Sequence, residues 1–381
     1  MNKKNTVILG IIFPVLLIVV MIITIIMPDK KFSGEENRIL QELPSFSLSM
    51  YKDGRFEKKM ENYVNDQFVM RNGFIKVKTA FDRTLGKTDE NDVFFCKDNY
   101  LMENIQAPDK VSMKKNLNAI RSFREKYSNL NMSFLLAPNA ADIYPEKLPI
   151  KKTEVNQDKI IDSFYKELES LGIKTIDVRE DLRKQKDDVQ LYYRTDHHWT
   201  TDGAYIAFKD INKTLGLGNK TKYDPLVVKN DFRGTLASKS GFTNGLNDEI
   251  KVYVPEDKSD FKPSVIYYSD SKEKTTQFYQ LDNLKTKDAY TVFGGSNHPI
   301  YTITTPTKSD RRLLLIKDSY ANSIIPFLSQ CYREIVIVDP RYFFDDINEI
   351  IDSKNITDVL FLYNANTFVK DDSLQMTLTP N

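Results

Sequence analysis

The chain is poor in the residues from which most metal and redox sites are built. Among 381 residues there are two cysteines, Cys96 and Cys331, and three histidines. No C-x-x-C pair occurs, so a zinc site with the usual ligand set cannot be assembled. The two cysteines read as buried free thiols, and their spacing alone does not decide whether they pair. Charge of one sign is also missing. Lys+Arg 54 against Asp+Glu 53 gives +1, which argues against a nucleic-acid protein, because phosphate contacts need a basic surface. There is one tryptophan and no repeat or low-complexity tract. What is present suits a packed globular body. Hydrophobic residues make up 41% and charged residues 28%, enough to bury a large core and to exclude global disorder. The length allows two domains or one large one.

Only one long apolar run exists. Val7 to Met27 is 21 residues without a charge. As a helix it would be about 31 Å long, the thickness of a bilayer's hydrocarbon core. Gly10 and Pro14 are tolerated in membrane helices. The run ends Ile-Ile-Met-Pro-Asp, without the small residues of a cleavage site. It therefore reads as an uncleaved signal anchor: 1–6 a cytoplasmic stub, 7–27 the transmembrane helix, and the remainder outside. The expected localisation is a single-pass protein of the cell membrane with an extracellular body. Lys3 and Lys4 before the helix are matched by Lys30 and Lys31 after it, so the charge rule is nearly tied.

Residues 28–85 carry apolar positions at helical spacing (Phe56, Met60, Tyr63, Val64, Phe68) and predict a membrane-proximal helical segment. From 86 to 381 strands alternate with helices. Asp92–Phe95 and Tyr100–Leu101 form a hairpin, and Ser112–Tyr127 is an amphipathic helix. Ser133–Ala137 is a buried strand, Asp158–Leu171 a helix, Lys174–Val178 and Leu191–Tyr193 strands, and Thr201–Leu215 a helix. After an irregular stretch, 218–310, come strand Arg312–Ile316, helix Tyr320–Leu328, strand Glu334–Asp339, helix Asp345–Ser353 and strand Val359–Tyr363. This alternation predicts an α/β fold: a mostly parallel sheet with helices on both faces and ligands at the carboxyl ends of its strands.

Three constellations fall at such ends. In Leu315-Ile316-Lys317-Asp318-Ser319-Tyr320 an apolar strand stops and a helix begins. Ser319 then has its hydroxyl at the sheet edge and its N–H at a helix start, where donors are unspent. The plainer reading is a helix cap by Asp318 or Ser319. In Arg194-Thr195-Asp196-His197-His198-Trp199 two of the three histidines adjoin an aspartate. In extended backbone, residues i and i+2 share a face. Asp196 and His198 then approach each other while His197 points away. A carboxylate beside an imidazole fixes its tautomer and stabilises its charged form, as a general base requires, and Thr200 or Thr201 caps the helix that follows. Structural histidines are the plainer alternative. Asp-His-His also occurs in metallophosphoesterases, but those need further Asp-rich motifs, which are absent upstream. No metal or cofactor is expected. In Phe293-Gly294-Gly295-Ser296-Asn297-His298-Pro299 the glycines permit a tight turn, and Asn297 is a candidate oxyanion donor.

Arg194-Thr195-Asp196-His197-His198-Trp199 resembles the signature of the bacterial DHHW protein family. Its Asp-x-His-Trp core is similar to that of the alginate O-acetyltransferases AlgX and AlgJ, which have an SGNH-hydrolase-like domain. Glu36-Asn37-Arg38, Asp66-Gln67-Phe68 with Arg71, Ala137-Pro138-Asn139 with Tyr144-Pro145, the Gly294–Pro299 segment and Lys317–Tyr320 share in the resemblance. It implies an SGNH-hydrolase-like three-layer α/β/α sandwich. It also implies a Ser-His-Asp triad: Ser319 as nucleophile, His198 as base, Asp196 as its orienting carboxylate. Asn297, Gly295, His298, Trp199 and Tyr320 are then candidates for oxyanion or substrate contact. The implied reaction is acetyl transfer to a cell-surface polysaccharide through an acetyl-serine, or hydrolysis by the same triad. The implied acetyl donor comes from a multi-spanning membrane acyltransferase. Three departures stand out: Asp-x-His precedes Ser, which implies a sheet circularly rearranged relative to ordinary SGNH hydrolases; Lys317 replaces the Gly of a Gly-Asp-Ser pattern, so that its β-carbon is expected to crowd the turn; and Cys96 stands where relatives often have Gly. The alternative function is a non-catalytic polysaccharide-binding or assembly protein of the same fold, and a third is a metal-dependent phosphoesterase.

Overall fold

Short, mostly apolar runs spread over residues 131–364 meet in one eight-stranded sheet. The computed structural model describes residues 3–33, 38–150, 154–242 and 245–379, with the side chains of 3–11, 32, 38 and 39 excepted. Met1 and Asn2 of the expected stub, and Glu36-Asn37, lie outside the described residues. The chain divides into two units, Met1–Lys87 with Ser238–Thr243, and Thr88–Ala237 with Asn244–Asn381.

In the first unit a continuous helix α1 covers Lys3–Ile26, with Pro14 inside it. Among the described residues, no helix is long and apolar enough to cross a membrane. Helices α2 (Arg55–Gln67) and α3 (Arg71–Thr84) follow. Gln67 ties the end of α2 to the chain after α1: its Nε2 donates to the Lys30 carbonyl at 3.0 Å, and its Oε1 accepts the Lys30 N–H at 2.9 Å. Tyr63 donates to Asp29 at 3.0 Å.

The second unit opens with the expected hairpin, β1 (Val93–Phe95) and β2 (Leu101–Glu103). Then come α4 (Lys110–Lys126), β3 (Asn131–Ala137), α5 (Gln157–Ser170), β4 (Lys174–Thr175) and α6 (Thr201–Thr214). A hairpin of β5 (Tyr223–Phe232) and β6 (Asp248–Pro255) follows, then β7 (Val265–Tyr268), β8 (Lys274–Thr275), β9 (Ile300–Thr304), β10 (Arg312–Lys317), β11 (Glu334–Val338), α7 (Ile347–Lys354) and β12 (Asp358–Asn364). The large sheet has the order β8-β7-β9-β11-β10-β12-β3-β4. From β11 to β4 the pairs are parallel. From β8 to β11 they are antiparallel. The sheet is therefore mixed rather than mostly parallel. The antiparallel edge comes from the stretch expected to be irregular, where short Thr- and Tyr-rich strands (Ile300-Tyr-Thr-Ile-Thr304) do not stand out in polar surroundings.

Strand alternation separates two cores. Leu313, Leu315, Leu360 and Leu362 face one side, against Ala204, Ala207, Phe208 and Ile211 of α6. Leu314, Ile316, Val359 and Phe361 face the other, against Ile120 and Phe123 of α4, Phe164 of α5 and Ile347 of α7. The result is an α/β/α sandwich. Phe134 anchors the second core, stacked on Phe361 at 5.2 Å and 12° and edge-on to Phe164 and Phe368. Some expected elements are shorter: the strand expected over Lys174–Val178 is Lys174–Thr175. Leu191–Tyr193 makes a single bridge, Tyr192 to Trp199, and Tyr320–Leu328 is a 3-10 turn, Ser319–Ser323, followed by one α turn, Ile325–Leu328. Both cysteines are free, Cys331 buried and Cys96 partly so. Burial pushes their thiols up to about 11 and about 12.

Candidate active site

Strand β10 is apolar until Lys317, and the chain turns at Asp318. Asp318 Oδ1 accepts the Tyr320 N–H at 2.9 Å, and Oδ2 accepts the Asn364 N–H at 2.8 Å. The cap is thus Asp318, which also ties the end of β10 to the end of β12. This leaves the Ser319 hydroxyl for other work. Lys317 does not crowd the turn. Its side chain runs into the interior and meets Asp339, at the end of β11, at 3.4 Å, where Arg341 binds the same carboxylate at 2.8 and 2.6 Å.

The Asp-His-His-Trp segment is a run of bends, not the extended strand the spacing suggested. Asp196 Oδ1 accepts the His198 backbone N–H at 3.0 Å and lies 2.6 Å from its Nδ1. The i, i+2 approach therefore arises from a side-chain-to-backbone turn. His198 Nε2 lies 2.8 Å from Ser319 Oγ. Asp196, His198 and Ser319 thus form one hydrogen-bonded chain at the carboxyl end of the parallel strands. His197 does not point away. Its ring lies against His198, 3.9 Å between centroids, with Nδ1 2.8 Å from Thr235 Oγ1.

Residues distant in sequence hold this chain in place. Thr235 donates its N–H (2.8 Å) and its hydroxyl (3.0 Å) to Asp196 Oδ2. Gly234 lies so close that a β-carbon there would sit 2.2 Å from Asp196 Cβ. Asp248 of β6 accepts the backbone N–H groups of Arg194 and Thr195 at 2.9 and 2.8 Å and the Thr195 hydroxyl at 2.6 Å. Tyr290, from the 3-10 turn Ala289–Val292, stacks on His198 and donates its hydroxyl to the Ser319 carbonyl at 3.1 Å. Sequence reasoning missed Thr235, Asp248 and Tyr290. The lone glycine in Arg233-Gly234-Thr235 was the one local signal, and it carries no chemistry by itself.

Burial opposes ionisation of Asp196. The adjacent His197 and His198 rings and the hydrogen bonds from His198 and the Thr235 N–H outweigh it, and the carboxyl is held well below the usual carboxylate range. For His198, burial and then His197 disfavour the charged form. Together they outweigh Asp196 and push the imidazole down to about 4. The net direction is opposite to the one the Asp-His pairing suggested. At neutral pH His198 is an uncharged acceptor facing the Ser319 hydroxyl.

The remaining candidates lie elsewhere. Trp199 is fully buried, its Nε1 donating to the Tyr320 carbonyl at 3.0 Å and to Ser323 Oγ at 3.1 Å. Tyr320 is buried too and donates to the His197 carbonyl. Both brace the nucleophile turn from inside rather than facing substrate. Gly295, Asn297 and His298 precede β9, which pairs with β11 and not with β10. Strand β11 thus lies between them and the strand that carries Ser319. Asn297 Nδ2 instead reaches the Tyr342 hydroxyl at 3.5 Å, and His298 Nδ1 lies 2.9 Å from Asp270. Among the described residues, Asp196, His197 and His198 are the cluster whose donor atoms lie close enough for a cation, within 4.8 Å. Both ring nitrogens of His198 are already bonded, and His197 Nδ1 is bonded to Thr235, so a metal there would dismantle the chain to Ser319.

Residues 92–259 match the family described as the SGNH hydrolase-like domain of acetyltransferase AlgX. Two solved structures share the fold. A DHHW family protein from Eubacterium siraeum is 24% identical with a TM-score of 0.63, covering 77% of this chain and 96% of that one. PatB1 of Bacillus cereus, solved with a sulfonyl adduct, is 22% identical with a TM-score of 0.62, covering 75% and 99%. The chain is DHHW-like and AlgX/AlgJ-like. Among curated relatives, "Probable alginate O-acetylase AlgJ" of Pseudomonas aeruginosa is 24% identical over 43% of this chain and 44% of its own length. Its counterpart in Pseudomonas putida is 23% identical over 51% and 52%. This AlgX/AlgJ-like chain spans about half the length of the curated relatives it matches. The matched segment contains Asp196 and His198 but ends before Ser319, so it is the geometry that brings the serine to them.

Proposed function

We propose that the chain is a polysaccharide O-acetyltransferase, or an acetylesterase of the same chemistry, with Ser319, His198 and Asp196 as its triad. The observation that carries this reading is the continuous chain Asp196–His198–Ser319, with contacts of 2.6 and 2.8 Å. The AlgJ relatives, each named "Probable alginate O-acetylase AlgJ", support it at family level.

In the first half-reaction Ser319 Oγ forms a bond to the carbonyl carbon of an activated acetyl ester, and its proton passes to His198 Nε2. Asp196 holds the ring in the tautomer with Nδ1 protonated and stabilises the imidazolium that forms. The Ser319 N–H faces the developing oxyanion. The donor's leaving group departs as its bond to the acetyl carbon breaks, taking the proton from His198. In the second half a sugar hydroxyl, or water, gives its proton to His198 and attacks the acetyl-serine. Oγ is released and reprotonated. In this reading, which rests on the uncharged run 7–27 of the sequence, that run holds the chain at the cell membrane, and a multi-spanning membrane acyltransferase supplies the acetyl group.

The test is intact-mass measurement of detergent-solubilised full chain after incubation with an activated acetyl ester. A single acetyl adduct, absent in Ser319→Ala, is expected. No adduct and no ester turnover from folded protein would overturn the reading in favour of a binding or assembly role.

A further inference from the structure

The register of the sheet lines up a second set of side chains on the edge that carries Ser319. Ile316, Val338 and Ile300 are partners across β10, β11 and β9, and Tyr301 pairs with Tyr268 of β7. Because β9 runs antiparallel, its start lies at the carboxyl ends of β10 and β11, and so does the end of β7. Residues just past these points therefore share one edge: Ser319 after β10, Arg341 and Tyr342 after β11, His298 before β9 and Asp270 after β7. The Asp339 N–H donates to the Pro299 carbonyl at 3.1 Å and fixes the β11 and β9 ends together.

On the other flank of Ser319 the edge is closed. Asn364 at the end of β12 and Asn139 after β3 are buried with Gln157 and Asn366, and these side-chain amides bond to one another. The β11–β7 flank is partly open, with the His298 side chain 14% and the Asp270 side chain 39% exposed. Tyr342 is 43% exposed, and Asn297 and Ser296 are exposed beside it. His298 stacks on Tyr268 at 4.1 Å, bonds Asp270 at 2.9 Å and has Ser296 Oγ 3.4 Å from its Nε2. An open aromatic ring beside planar amide, imidazole and carboxylate groups offers a sugar ring both a face and hydroxyl partners. The charges here are spent within the protein, Asp339 on Arg341 and Lys317, and Asp270 on His298.

We infer that Tyr342, Asn297, His298 and Asp270 form the acceptor subsite for an uncharged glycan, whose chain runs along this edge from Ser319 toward β7. The inference rests on the proposed acetyl-transfer reading for what lies at Ser319, and it deepens that reading by naming the acceptor class.

The test is calorimetric titration of the full chain with two probes, a neutral hexasaccharide of N-acetylhexosamine and a hexauronate. Titration needs no turnover, so it stays readable if the acylation assay fails, and its own failure leaves acylation of Ser319 standing. The neutral probe should bind, and Tyr342→Ala and His298→Ala should each weaken it by at least about fivefold. Asn297→Asp, an isosteric change at an exposed site, should weaken it too by placing an unpaired charge in the subsite. Thermal melts of the same samples identify any variant that does not fold, and the remaining variants then decide. Equal binding by parent and folded variants, no binding of the neutral probe, or binding of the hexauronate about tenfold or more tighter would overturn the inference.

Discussion

The ring of Tyr290 lies flat on the imidazole of His198, 3.7 Å between centroids and 8° between planes. The same side chain donates its hydroxyl to the carbonyl of Ser319. One residue thereby fixes both the tilt of the His198 ring and the backbone of Ser319. Tyr290→Leu should lower kcat/KM for an activated acetyl ester by about 10–100-fold, since small misplacements at reacting atoms cost that much. Tyr290→Phe keeps the stack and should lose less than about tenfold. Equal losses in the two variants would assign the effect to the hydroxyl alone.

Gly234 is the tightest approach to Asp196. Gly234→Ala drives a methyl into the carboxylate and forces the loop to move. A loss of about 1–3 kcal/mol of stability is expected, as for other overpacked positions, together with a fall in ester turnover of at least about tenfold. Chemical denaturation and steady-state kinetics on one preparation measure both.

The depressed imidazole of His198 sets an acid limit. With its folded value pushed down to about 4 against an ordinary value near 6.5, the base stays uncharged across the neutral range. The kcat/KM profile should be flat from pH 7 to about pH 5 and fall about tenfold per unit below pH 4. Stability has the same sign. The unfolded chain binds this proton more readily than the folded one, so stability is lost as pH drops from about 6.5 through 4. Asp196, depressed when folded, adds a further loss below about 3.8. Melting temperatures of the parent and His198→Gln across this range separate the two groups. An acid limb at pH 6.5 or above would mean that Asp196 outweighs burial.

Asp339 is fully buried between Lys317 and Arg341. Its removal strands two cations, so Asp339→Ala should cost about 3–5 kcal/mol. Lys317→Met deletes a buried ammonium that burial already disfavours, while Arg341 still satisfies the carboxylate. Its effect should be within about 1 kcal/mol of neutral, or stabilising. Urea titrations of the two variants would expose a reversed ranking directly.

Phe134 contacts Phe361, Phe164 and Phe368 within the second core. Phe134→Ala should cost about 3–5 kcal/mol without moving the pH profile of whatever folded protein remains.

The parts of this molecule that were legible in sequence are those set by neighbours along the chain. Strands β3, β10, β11 and β12 are continuous apolar runs, and a run buried on both faces needs no partner to be recognised. Asp196 and His198 are two residues apart, so their approach was foreseeable, although a turn rather than a strand produces it. The end of β10 marked Ser319 because a polar pair interrupts the apolar run. The antiparallel edge was not legible, since β7 and β9 are short and lie in polar surroundings. Tyr290, Thr235 and Asp248 were not legible either. They reach the site from segments tens of residues away, and no local period encodes such a meeting. Asn297 shows the same limit: a Gly-Gly-Ser-Asn turn announces a loop but not the strand beside which that loop lies.

Trp199 is the single indole of the chain, and its N–H is bonded to the Tyr320 carbonyl and to Ser323, one and four residues past Ser319. Light absorbed at the red edge of the aromatic band is therefore absorbed only there. Its emission reports on one small piece of backbone, the turn that presents the serine, with no label attached and no competing signal to subtract. Acylation, subsite occupancy and the onset of acid unfolding can each be followed in real time through that one fluorophore.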